Sequence, residues 1–151
     1  MAQIVYQTLM SGLASMCFGV LFQVRGKNLV CAAVAGGVAW FVYKLVGHII
    51  ETDMAAYFLA TVATTVYSEV FARILRTPTI VFLAVGIIPI VPGGGIYRTM
   101  LLSIRGTPDE ALAACINTIQ IAGAIAVGVV IVSSIVRVFW NQNKIKTTSK
   151  F

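Results

Sequence analysis

The stretch "IIPIVPGGGIYRTM", Ile87 to Met100, places two prolines and three consecutive glycines at the end of a strongly apolar run. Proline removes a backbone donor and clashes with the preceding turn, and glycine is about 1 kcal/mol worse than alanine inside a helix. Pro89 and Pro92 are therefore expected to break a helix, leaving carbonyls around residues 85 to 89 and amides around 93 to 97 without helical partners. In lipid such groups are tolerated only where protein buries them or a wet cavity reaches them. The expected geometry is a discontinuous helix with halves near 79 to 88 and 95 to 104, together about long enough for one crossing of a hydrocarbon core of about 30 Å.

The rest of the chain supports a membrane setting. Of its 151 residues 59% are apolar and only 11% charged, and the mean hydropathy is +0.94, far from the composition of a soluble domain. Charge-poor segments cover residues 4–24, 29–46, 55–75, 79–104 with the break inside, and 111–138. They are apolar nearly all round and lack strand alternation, which favours helices over a barrel. The fold expected is an all-α integral membrane bundle of about five transmembrane helices over residues 1–140, followed by a basic tail, 141–151. No Lys or Arg precedes the first segment and no small-residue cleavage site closes a short apolar core, so it reads as a retained helix and not a signal peptide.

A net charge of +6 would point to nucleic acid in a soluble protein, but here the cations sort by loop. With five crossings and the N-terminus outside, Arg25, Lys27, Arg73, Arg76, Arg137, Lys144, Lys146 and Lys150 fall on one side. The other side holds Lys44 and Arg105, accompanied by Glu51, Asp53, Asp109 and Glu110, and Arg98 lies near the break. If the broken segment merely dipped in and out, the tail cations would move outside and the bias would nearly vanish. The tail "RVFWNQNKIKTTSK" reads as an interfacial anchor at Trp140 with lysines beside anionic lipid, on the cytoplasmic side.

Catalytic motifs are missing: there is no G-x-S-x-G, H-E-x-x-H or P-loop. Cys17, Cys31 and Cys115 are odd in number and lack C-x-x-C spacing, and His48 has no second His or Cys nearby, so neither a disulfide framework nor a metal site is expected. The chain reads as a non-enzyme without cofactors.

Small residues recur at helical spacing: Ser11, Ser15 and Gly19; Ala32 with Gly36 and Ala33 with Gly37; Ala124 with Gly128. Such ridges drive helix association in lipid, and they raise the expectation of additional helix neighbours, including further copies of the chain. In the third segment Thr61, Thr65 and Ser68 share one face, with Glu69 beside them and Arg73 one turn on. An ionisable residue at that depth costs about 2.5–3.5 kcal/mol on insertion scales, so Glu69 is read either as a structural ion pair with Arg73 or as a proton-coupling group. In the last segment Asn117, Thr118 and Gln120 are expected to face protein.

At the break, the second half-helix starts with free amides and a partial positive end suited to a carboxylate, while the first ends in carbonyls. Arg98, one turn in, adds positive charge. The candidate substrate site is therefore Pro89, Pro92, Gly93, Gly94, Gly95, Tyr97 and Arg98, with Thr65, Ser68 and Asn117 as a polar bundle face.

The run "SEVFARILRTPTIVFLAVGIIPIVPGGGIYRTM" resembles the signature of the threonine/serine exporter superfamily, specifically its small second-half module. "FGVLFQVRGKNLVCAAVAGGVAWFVYKL" is similar to that family's first two spans. Glu69, Arg73, Pro78, Pro89, Pro92, Gly93 and Tyr97 carry the family pattern, whereas a fixed basic residue is not expected at Arg98. The resemblance implies half of a secondary exporter of small carboxylate metabolites, threonine and serine or a dicarboxylate such as succinate. It further implies proton drive and a larger multi-span membrane partner of the same family. The alternatives from other classes are a non-transporting assembly subunit and a homo-oligomeric channel.

Overall fold

The computed structural model describes residues 2–50 and 52–148, with side chains for 3–50 and 52–139. The chain is helical: α1 (Ala2–Leu21), α2 (Lys27–Ile49), α3 (Asp53–Ile74), α4 (Thr79–Ile87), a 3₁₀ turn (Ile88–Ile90), α5 (Gly93–Arg105) and α6 (Pro108–Thr148). Four helices are long and apolar enough to cross a membrane, and α4 with α5 makes a fifth if the bent pair is one span. Glu51 and the side chains of Trp140, Lys144, Lys146 and Lys150 lie outside the described residues, while the α6 backbone runs on to Thr148.

Local chemistry sets the ends. After α1, Gln23 adopts a left-handed φ of 59°, the Val24 amide donates to the Gly19 carbonyl and the Gln23 amide to that of Val20. After α3 the pattern repeats with Arg76 at φ 51° and bonds from Thr77 to Ala72 and from Arg76 to Arg73. Both are Schellman stops made without glycine. Pro78 then starts α4, and Asn28 Nδ2 donates to Thr77 Oγ1 at 3.1 Å, tying the α3–α4 turn to the head of α2. At the other end of the molecule Thr107 and Glu110 exchange backbone and side-chain bonds across the start of α6. This is a capping box, with Pro108 as the first helical residue.

Packing follows the small residues. The helices α1, α2, α3 and α6 form a row in which each packs on the next, α4 lies across α2 and α3, and α5 lies along α6. On α2, Ala32, Ala35, Gly36 and Ala39 are buried at spacings of three, one and three, a smooth stripe that lets α4 come close. A Cβ at Gly86 of α4 would fall 2.8 Å from Ala35 Cβ and 3.0 Å from Thr64 Cγ2. Phe82 and Val85 fill the core beside Ala32 and Ala72. Ile90 of the 3₁₀ turn is buried with Ala39 and Ala60 against Trp40, Tyr43 and Tyr57.

The small-residue ridges seen in the sequence are used within the chain. Gly12 faces the Ala33 carbonyl, Gly36 faces Ser15, and Gly128 faces Thr61 and the Phe58 carbonyl. Outward, large apolar side chains such as Leu9, Leu13, Val30, Val66, Ile119 and Val130 are exposed, as expected of a lipid-facing surface. Composition, helix length and this apolar exterior together make the chain a multi-pass membrane protein.

Candidate functional site

The α4–α5 pair is bent by 48°. A bend of less than a right angle leaves the second half advancing in the sense of the first, whereas a re-entrant loop would reverse it. Pro89 and Pro92 supply the cause, since neither can donate to the preceding turn. The second half begins two residues earlier than the sequence reading placed it, because Pro92 occupies the N-cap. The glycines can open the helix there because the amides of a first turn have no helical partners to lose.

The unpaired backbone is also narrower than expected. Val91 donates to the Ile88 carbonyl, Gly93 to Val91 and Ile96 to Pro92, which leaves the Gly94 and Gly95 amides as the free donors of the first turn of α5. The three glycines then divide by role. A Cβ at Gly93 or Gly94 would meet nothing within 4 Å, whereas one at Gly95 would fall 2.7 Å from Thr118 Oγ1. Gly95 is a close-packing residue against α6, and Gly93 and Gly94 leave backbone open to whatever approaches.

Between α5 and α6 lies a cleft of about 360 Å³ lined by Gly95, Arg98, Leu102, Glu110, Ala113, Ala114, Asn117 and Thr118. Arg98 lines it. Thr118 Oγ1 lies 3.5 Å from Thr99 Oγ1 of α5, and each hydroxyl also donates to a carbonyl one turn back on its own helix. Tyr97 is 68% exposed and does not line the cleft; it shares the outer face of α5 with Ile96, Met100 and Ile104. Pro89 faces the other way, toward α1 and α2.

Sequence reasoning missed Glu110 as a cleft residue, although the T-x-x-E spacing from Thr107 announced its place at a helix start. Thr118 was expected to face protein and does, and Gln120 is exposed on the other side of α6, beside Phe58 and Met54. The chain places one guanidinium, one carboxylate, one carboxamide and one hydroxyl around an open space that begins at a helix N-terminus. Groups of this kind at a helix N-terminus are chemically suited to a small charged molecule.

The second candidate cluster lies apart from the first. Glu69 is 7% exposed, its Oε2 is 2.6 Å from Arg73 Nη1, and it accepts a bond from Thr79 Oγ1 at 3.3 Å, at the start of α4. Arg73 Nη1 also donates to the Glu69 carbonyl. The Glu69 carboxylate thus clamps the end of α3 to the head of α4. From Thr79 to the break is about 15 Å of helix. Thr61, Thr64, Thr65 and Ser68 are fully buried above it, and each hydroxyl donates to the carbonyl four residues back. Their hydrogen bonds are satisfied within α3, so they pack as small side chains. Thr65 and Ser68 therefore do not share a face with Asn117, which belongs to the cleft.

Fold and site define a class: a multi-pass membrane protein organised around a discontinuous helix, with a polar cleft at the break and no strand among the described residues. Within that class, residues 7–135 match the family model described as "Threonine/Serine exporter, ThrE", and the chain belongs to this family of threonine/serine exporter-type transporters. No curated protein and no solved structure matches the chain.

Proposed function

We propose that this chain is one half of a secondary exporter of small carboxylate-bearing metabolites, with the substrate carboxylate held in the α5–α6 cleft. The observation that carries the reading is the cleft itself. The free amide of Gly95, the positive end of α5 and Arg98 meet at one open space, and all three favour a carboxylate. Glu110 on the facing helix balances Arg98, and this favours a zwitterionic amino acid over a dicarboxylate, which would require a second cation. Thr118 and Asn117 add polar groups to the same space.

A larger membrane partner of the same family completes the transporter in this reading. Its support is that α5 buries no residue and packs along α6 with large apolar side chains such as Ile96, Met100 and Ile104 left exposed. The N-terminus faces outward and the C-terminus the cytoplasm of a cell membrane, as the distribution of cations favours. Glu69 lies then near the cytoplasmic end of α3, where its carboxylate joins Arg73 of α3 to Thr79 of α4. This is the proposed point of proton coupling.

The test is efflux of labelled threonine and of labelled succinate from cells expressing the chain with its larger partner. Threonine efflux that exceeds succinate efflux and collapses with the proton gradient is expected; equal efflux with and without the chain would refute the proposal. Glu69→Gln should leave residual efflux that no longer responds to the pH gradient, and a wild-type response to pH would remove Glu69 from coupling.

A further inference from the structure

Pro89 has a second polar neighbourhood, on the side away from the α5–α6 cleft. Ser15 of α1 is 0% exposed, and its Oγ has no hydrogen-bond partner among the described residues. A Cβ built on Gly36 would fall 1.8 Å from Ser15 Oγ and 3.4 Å from Pro89 Cγ, so the hydroxyl is wedged between α2 and the break. One turn further along α2, the buried Trp40 Nε1 is likewise without a partner. Trp40, Pro89, Ser11, Tyr6, Gln7 and Met10 line a crevice of about 240 Å³, and Ser15 sits one turn of α1 beyond Ser11, beside the same proline. The crevice shares no lining residue with the α5–α6 cleft.

Leaving a buried donor unpaired costs about 1–3 kcal/mol, and two such donors at one proline call for an occupant. Ser11 Oγ donates to the Gly36 carbonyl and keeps lone pairs to accept; the crevice therefore holds an acceptor as well as the Trp40 donor. An anion would meet the negative end of α4. A bare cation would meet Trp40, whose indole N–H only donates. A hydroxyl group accepts and donates at once and suits both kinds of neighbour. We propose that the crevice lined by Ser11, Trp40 and Pro89, with Ser15 buried beside the same proline, is a binding site for a hydroxyl group, separate from the α5–α6 cleft. Water supplies that chemistry, and so does the side-chain hydroxyl of a hydroxylated amino acid; the second source rests on the exporter reading above.

Thiol labelling separates these outcomes without requiring transport. In a full-length chain with Cys17, Cys31 and Cys115 replaced by alanine, Ser15→Cys and Ser11→Cys are compared in membranes with Leu13→Cys, on the lipid-facing side of α1. The probe is a charged methanethiosulfonate, which reacts with the thiolate and so with a wetted cysteine. Modification of Ser15→Cys or Ser11→Cys at least about tenfold faster than Leu13→Cys is expected. Protection by L-threonine but not by L-valine, its analogue with methyl in place of hydroxyl, assigns the site to a substrate hydroxyl; no protection by either assigns it to water. If neither serine position reacts faster than Leu13→Cys in protein that remains monodisperse on extraction, the proposal is overturned. Failure of threonine efflux with rapid labelling would instead count against the exporter reading alone.

Discussion

Thr79–Ile87 and Gly93–Arg105 are halves of one apolar segment placed in opposite surroundings. The first, α4, buries Phe82, Leu83, Val85 and Gly86 between α2 and α3. The second, α5, buries nothing and lies along α6. What separates them is the five-residue break from Ile88 to Pro92, and the second half is also far less apolar, carrying Arg98, Thr99, Ser103 and Arg105 where the first has only Thr79. The glycines make the same division. Gly86 is enclosed by Ala35 and Thr64, while Gly93 and Gly94 face open space.

The strongest way to break this comparison is to fill the scaffold glycine. Gly86→Leu drives a side chain into Ala35 and Thr64, and overpacking of this kind costs about 1–3 kcal/mol or more. Thermal unfolding in detergent should show a clear drop, with reduced folded protein; an unchanged midpoint would mean that α4 is not held as described. Next in size is Arg98→Gln on the other half. Hydrogen bonds to a charged group contribute about 1.5–3 kcal/mol, so the half-saturating threonine concentration for efflux should rise about 10- to 100-fold with little change in stability. The smallest effect is expected at Gly93→Ala, where open space and a first-turn position allow a gain of about 0.5–1 kcal/mol. A loss of stability there would show that α5 is packed more tightly than its exposed face indicates.

The sequence reading and the structure agree where backbone chemistry left few alternatives. Two prolines and three glycines in an apolar run can only interrupt a helix, and the break falls at Ile88–Pro92. The small-residue spacings correctly marked close helix contacts, but they carried no information about partner, and the structure pairs them within the chain. Side-chain direction was the least legible. Arg98 and Tyr97 are adjacent in sequence and about 100° apart around a helix, so only the docking of α5 on α6 decides that Arg98 enters the cleft and Tyr97 does not. The hydroxyl row on α3 misled for a related reason: threonine and serine can satisfy themselves on their own helix, and polarity in a span need not mark a path.

Gly94 tests the central claim most directly, because it belongs to the first turn of α5 beside Gly95 of the cleft, and a side chain there meets nothing within 4 Å, so a loss of efflux would not come from overpacking. Labelled threonine efflux should be measured for Gly94→Leu in cells expressing the larger partner, with the amount of folded chain matched to wild type. Loss of efflux at unchanged thermal stability is the expected result; wild-type efflux would contradict the placement of the substrate carboxylate at the start of α5.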